Sequence, residues 1–444
     1  MSVYKIQSDY LLSSDWAREL YEAIKDLPVI DYFTRLSPAQ LSLTGYRDIN
    51  QLWISDDPLK SKFLGKQLDG EDLFEAWVKD LQKHLLHPIY ACSHLELSNY
   101  WEIDEFLTPS NAQKIYHQLQ EKLAAGDFGP ESFMEKSCVS SLYYLADPID
   151  DLLEPSSESY LHGKVSPIFA PIKTLIVDDA TSFNQYLDQL SSKSGFQLEH
   201  YIDLLNALQY SMDAFEKYGC KFAHHRLELM YAEPYTQEQV NFIFHKIRLG
   251  HELFPDEKAK FRSALLHHLT EMYHERGWVQ QFHLGTIRQL KGIETGFDAM
   301  GDDETAWYLL RYLHEMTQRQ KLPKTIFHHP YKSKLLASIA SKFHGMLPPG
   351  WIQVRPGWEL LTHREELVQH MKEISFPSLN GAFPGMPSSA SVWPSLARHD
   401  YVKRVLSQML AHEVDAGSLP ADKGLLVSWL STICSQGGKD FLGA

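Results

Sequence analysis

The chain has 444 residues, 44% hydrophobic and 22% charged, with a formal net charge of −15. This ordinary globular composition and length suffice for a large buried core and exclude a disordered chain. The negative charge is broken by no Lys/Arg block, so it repels phosphate backbones and anionic lipid, and neither nucleic acid nor a membrane is an expected partner.

Ser14 or Asp15 caps a first helix, in which Trp16, Leu20, Tyr21, Ile24 and Leu27 recur at helical spacing until Pro28. The apolar run Pro28, Val29, Ile30 then leads to Asp31 and Tyr32 and turns polar at Thr34 and Arg35, the pattern of a buried parallel strand ending at an active-site face. From residue 37 to 137 the apolar spacing is helical almost throughout, which predicts a helical insertion between the first and second strands. Short apolar runs then alternate with amphipathic segments. Strands are expected at 139–146, 166–171, 221–226, 278–284, 324–329, 351–356 and 381–386, making eight with residues 28–36.

Eight strands with helical crossovers predict an α/β fold built as one (β/α)8 TIM barrel over residues 1–444, and no G-x-G-x-x-G follows any strand to favour an open dinucleotide-binding sheet. Cys92, Cys138, Cys220 and Cys434 lie far apart, as buried free thiols would. The N-terminal residues show no basic, apolar and small-residue succession, and no run of about 18 apolar residues occurs, so a cytoplasmic location is expected. Histidines gather near the ends of expected strands four to six: His224, His225, His283, His328 and His329. Adjacent strand residues point to opposite faces, so only one of each pair can face the barrel mouth. The pair in LLHHL (265–269) lies on a helix, where a solvated face is expected.

The stretch IDYFTRLSP, together with HPIYACSHLELSNYW, DPIDDL, GWVQQFHLGTIR, ETGFDAMGD, LPKTI, RHDY, LPAD and ICSQGGKDF, resembles the uronate (glucuronate) isomerases of the amidohydrolase superfamily, in order and from end to end. The resemblance implies an amidohydrolase-like (β/α)8 barrel. It also implies the aldose–ketose interconversion of D-glucuronate with D-fructuronate and of D-galacturonate with D-tagaturonate. That chemistry needs a base to move a proton between C2 and C1, stabilisation of the enediolate oxygens and a cation for the substrate carboxylate.

Carried over position by position, the resemblance places Phe33 and Arg35 where relatives have paired metal-binding histidines on the first strand. Ala170 stands at an arginine position, His224 at an aspartate position, and Ser389 and Ser391 where an aspartate and an arginine are usual. His283, Arg288, Asp147 and Trp358 match the family, and His225 keeps the histidine beside His224. These matches make His283, His225 and Arg288 the candidate catalytic residues, and Arg288 and Trp358 candidate substrate contacts; Arg35, which departs from the family, is a further candidate substrate contact. Asp147, before Pro148, reads equally as a turn residue.

No cofactor is expected on this pattern, and a zinc site would have to be rebuilt from His224, His225, His283, His328 or His329. Arg35 would repel a divalent ion at the old position, or stand in for one. The expected function is that of a uronate isomerase with impaired or absent activity. The alternatives are a non-catalytic binder of a sugar acid or a protein, and a different reaction using the histidine-rich rim. A hexuronate ligand and either a homo-oligomer or association with an active homologue follow from the resemblance.

Overall fold

The computed structural model describes residues 5–42, 46–55, 57–61, 68–126, 128–153, 159–285, 304–329, 332–355, 363–375 and 383–443. Seven parallel strands form one sheet in chain order: β1 (Val29–Thr34), β2 (Val139–Ala146), β3 (Val165–Phe169), β4 (Phe222–Leu227), β5 (Val279–Leu284), β6 (Thr325–His328) and β7 (Ile352–Arg355). The sheet is curled: the Gln281 side chain on β5 donates from Nε2 to the Tyr32 carbonyl on β1 at 3.2 Å, although three strands separate them in the sheet.

The eighth strand expected at 381–386 is not found among the described residues, where 383–390 has no regular secondary structure. It nevertheless lies along β1. Ser389 N donates to Phe33 O at 3.1 Å, and Arg35 N donates to Ala390 O at 2.7 Å. Gly385 and Ser389 take positive φ (88° and 49°), and such left-handed kinks stop a continuous ladder from forming.

The first helix, α1 (Asp15–Ile24), is capped by Ser14, whose hydroxyl accepts from Ala17 N, and buries Ala17, Leu20, Tyr21 and Ile24 at the spacing read from the sequence. Among the described residues, six α-helices and a short π-helix (Gln51–Ser55) lie between β1 and β2: α2 (Pro38–Ser42), α3 (Pro58–Ser61), α4 (Gly70–Leu81), α5 (Pro88–Trp101), α6 (Ala112–Ala124) and α7 (Pro130–Lys136). Downstream crossovers are made by α8 (Ala180–Ser194), α9 (Tyr201–Lys217), α10 (Gln237–Arg248), α11 (Pro255–Glu275), α12 (Glu304–Gln318), α13 (Ser333–Ser341) and α14 (Arg364–Ser375). The chain closes with α15 (Arg398–Asp415), α16 (Lys423–Ser431) and α17 (Gly437–Leu442). Thr236 and Gln239 form a reciprocal capping box at the start of α10, and Pro88 and Pro255 open α5 and α11 where a missing N–H costs nothing.

Inside the curl, Tyr32, Tyr143, Ile168, Phe222, Val279 and Ile326 come from six successive strands, and Phe441 of α17 packs against them. This apolar plug fills the centre of the sheet, so polar side chains concentrate further along the strands. The larger core lies between the outer sheet face and the helices. The four cysteines are free thiols; Cys92 and Cys220 are buried as expected, whereas Cys138 and Cys434 are only half-buried. Among the described residues no helix is long and apolar enough to cross a membrane.

The LLHHL segment departs from the expected solvated face. His267 is buried on α11, stacked with Tyr312 and hydrogen-bonded to the Tyr235 hydroxyl, because the helix turns this side toward α12. Burial pushes its pKa down to about 3.

His94 is a cleaner case of the same physics. On α5 its Nδ1 donates to Tyr90 O at 2.6 Å and its Nε2 accepts from Leu107 N at 2.9 Å, so the neutral ring is fully satisfied and a second proton would have no acceptor. Burial lowers its pKa from 6.5 to about 4. The unfolded chain therefore binds more protons between these values, and stability falls as pH drops from 6.5 toward 4. The difference corresponds to about 3 kcal/mol lost from this residue alone. Urea denaturation at pH 7 and pH 4.5 should show that loss, and His94→Gln should reduce it; an unchanged pH dependence in the variant would contradict the assignment.

Candidate active site at the ends of β4 to β7

The parallel register decides which side chains meet. His283 pairs with His328 and His328 with Arg355, which puts these three at one level near the C-terminal ends of β5 to β7, while His224 pairs with Gln281, two residues earlier along the strands. His224, His283 and His328 face the inside of the curl. The His224 and His283 rings are 6.3 Å apart edge to face, and His283 stacks on His328 at 5.6 Å. Phe33 from β1 reaches across to them, 4.9 Å from His224 and 6.2 Å from His328 between centroids. Arg355 completes the cluster. Its Nε donates to His328 Nε2, its Nη2 donates to Gln281 Oε1 at 3.2 Å, and its guanidinium lies 5.1 and 5.0 Å from the Tyr32 and Phe33 ring centres.

Burial sets the electrostatics. Arg355 is 2% exposed and forms no ion pair with any described carboxylate, and burial lowers its pKa to about 10, leaving it cationic at neutral pH. His224 is held well below the ordinary histidine range, first by burial and then by His283 and Arg355, so it is neutral. Its Nδ1 is buried with no hydrogen-bond partner among the described residues. Burial also raises the Tyr32 phenol, which donates to Gly385 O at 2.7 Å.

The residues singled out in the sequence separate accordingly. His283 belongs to the inward cluster. His225 does not: alternation along β4 turns it outward, where it stacks on Phe282 and shares a 3.0 Å hydrogen bond with the Tyr273 hydroxyl of α11. Arg35 is half-buried just past β1, beside the Arg355 neighbourhood. Ser389 lies against β1 through its backbone, while Ser391 and Ala170 are buried. Asp147 sits in the turn after β2, accepting from Ile149 N and the Tyr186 hydroxyl, the turn role that its place before Pro148 allows. His329 is buried after β6. Arg288 and Trp358 lie outside the described residues. Arg355 and Gln281 were not singled out from the sequence; the signal was a basic residue ending the apolar run WIQVR, legible as a mouth position only once the strand's register is known.

A divalent ion needs three or more converging donors. Among the described residues no three His, Cys, Asp or Glu side chains converge in that way. The inward histidines are also poorly placed for one, since Arg355 already donates to the His328 Nε2 lone pair and its charge would oppose a second cation. The nearby β1 acid, Asp31, is taken up by Ser388, whose N and Oγ both donate to it, and by His399 Nε2 at 3.0 Å. The described residues do not fit a divalent metal.

The glucuronate isomerase family model matches residues 3–442. The chain belongs to the uronate (glucuronate) isomerase family. The uronate isomerase of Phocaeicola vulgatus is 31% identical over 461 residues, covering 98% of each chain, and that of Bacillus pumilus is 32% identical over 460 residues, covering 98% of this chain and 96% of the relative. Among solved structures, a uronate isomerase from Thermotoga maritima superposes with a TM-score of 0.88 at 21% identity, covering 99% of this chain and all of the other. A glucuronate isomerase from Caulobacter crescentus gives 0.86 at 19%, covering 99% and 97%. Uronate isomerases thus share this amidohydrolase-like architecture, and the family is one that binds hexuronates.

Proposed function

We propose that this uronate isomerase family member binds a hexuronate but has lost most or all of the aldose–ketose isomerase activity. The observation that carries this reading is the composition of the inward cluster: three histidines, one arginine and two aromatic rings, with neither a carboxylate nor a metal-fitting donor set among the described residues. On this reading Phe33 and Arg35 occupy the paired-histidine positions of β1, and the Phe33 ring fills space beside His224 and His328. His283 remains as the inward imidazole for contact with the sugar, and Arg288 and Trp358 are proposed as further substrate contacts.

The chemistry sets the expected size of the loss. A positioned general base contributes about 10²- to 10⁴-fold, and a Lewis-acid metal adds several kcal/mol of charge stabilisation. Without both, turnover should fall about 10⁵-fold or more below that of an active relative. NMR observation of D-glucuronate and D-galacturonate, with and without added zinc or manganese, tests this on protein free of host isomerase. The Phocaeicola vulgatus uronate isomerase is the positive control. No ketose above background is expected; ketose formation within about 100-fold of the control would sink the proposal.

A further inference from the structure

We infer that Arg355 is the cation that receives the carboxylate of a small sugar acid, doing by charge-assisted hydrogen bonding what a bound divalent ion would do by coordination. The inference rests on the proposal above only in that the inward cluster still takes a sugar acid. It goes further by naming the group that holds the ligand's charge and by making that recognition independent of metal.

Four observations converge on it. The guanidinium is buried and forms no ion pair with a described carboxylate; Asp31, near enough to favour its charge, is itself held by Ser388 and His399, so the cation is only partly compensated and an anionic ligand would compensate it further. It is held in place beforehand: Nε is tied to His328, Nη2 to Gln281, and the Tyr32 and Phe33 ring centres lie 5.1 and 5.0 Å from the guanidinium. A fork fixed in this way spends little conformational entropy on ligand binding, and its planar geometry suits a planar carboxylate. His224 then offers a second polar atom, the buried Nδ1 with no described partner, within the same aromatic cluster, where it can meet a sugar hydroxyl. Finally, the donor set does not fit a metal, so a fixed organic cation is the positive charge that the cluster itself supplies.

Calorimetry on the full chain, treated with EDTA, tests the assignment with D-glucuronate, D-galacturonate, D-glucose and inorganic phosphate as probes. Both uronates should bind without metal, while D-glucose, which lacks the carboxylate, should bind at least about 10-fold more weakly. Arg355→Met should weaken uronate binding about 30-fold or more. Gln281→Glu keeps the arginine but sets a carboxylate against it at the position of the present 3.2 Å contact, so it should weaken binding comparably; because it also gives up the Gln281 Nε2 donation to Tyr32 O, its fold is checked by circular dichroism and thermal melting before binding is read.

Uronate binding that vanishes with EDTA and returns with zinc would overturn the inference, as would wild-type protein that binds neither uronate, or two folded variants that bind like wild type. Phosphate binding tighter than either uronate would overturn the carboxylate assignment. Ketose formation in the NMR assay would refute the loss of activity and leave Arg355 to be judged by these binding results alone.

Discussion

Lys60→Met is expected to cost about 3–5 kcal/mol of folding stability, because it strands a buried carboxylate. The Lys60 ammonium on α3 lies 2.6 Å from Glu96 Oε2 of α5 and 3.7 Å from Asp57 Oδ2, and donates to Trp53 O at 3.1 Å. All three charged side chains are 1–2% exposed, so water cannot replace the lost partner. Methionine can fill the space of the lysine stem but leaves Glu96 with only the Trp53 indole N–H as a donor among the described residues. Asp57 is less affected, since Arg398 Nη2 at 3.4 Å and the Ser395 hydroxyl at 3.0 Å still face it. A second substitution, Glu96→Gln, should therefore restore much of the stability lost in Lys60→Met by removing the stranded charge. Urea denaturation of the two single variants and the double variant measures this. A Lys60→Met cost below about 1 kcal/mol would mean that the pair carries little net energy.

This cluster also bears on the site. Arg398 continues from Asp57 to the carbonyls of Ser388 and Ser389, donating at 3.0 and 3.4 Å, and Ser388 with His399 engages Asp31 of β1. The helices between β1 and β2 are thereby tied to the segment beside β1 through polar side chains.

Much of this architecture was legible in sequence because it is written in apolar periodicity. β2 falls at the expected residues, and six further strands fall within a few residues of theirs, since each is a buried run bounded by polar or turn residues. The segment at 383–390 misled for a physical reason. Phe383, Pro384 and Met386 have the apolar content of a strand, but two positive-φ kinks and two prolines, Pro384 and Pro387, permit only isolated hydrogen bonds to β1.

For the site, alternation alone foresaw that His224 and His225 would part, but not which of them would face inward; that depends on register with β5. Arg355 escaped notice because a single arginine after four strand residues resembles any exposed strand end. Its burial arises from Tyr32 and Phe33, more than 300 residues away in sequence, and no local pattern encodes that contact.

Gly437→Ala should be more damaging than an alanine in a helix would suggest. Gly437 has ordinary helical dihedrals (φ −57°), so backbone freedom is not the reason for a glycine here. The reason is proximity: a Cβ would overlap the carbonyl oxygen of Phe383 and come within 2.8 Å of that of Thr432, and neither backbone atom can swing aside as a side chain could. The expected cost is at least about 3 kcal/mol, at the severe end of overpacking.

Gly438→Ala meets Pro384 O at 3.2 Å and Ile30 Cβ at 3.8 Å, a milder conflict that should cost about 1 kcal/mol. The strain in Gly437→Ala has a direction. Relief requires Phe383 to move away from α17, and residues 383–390 carry the hydrogen bonds to β1 and the Ser388 contacts to Asp31. Hydrogen exchange should then show lost protection at the Ser389 and Arg35 amides while the β4 to β6 amides stay protected. Unchanged stability and unchanged protection at Ser389 would show that α17 does not press on this segment. Selective loss at Ser389 and Arg35 would establish that the glycine pair of α17 holds the chain against β1, at the strand that delivers Phe33 to the histidine and arginine cluster.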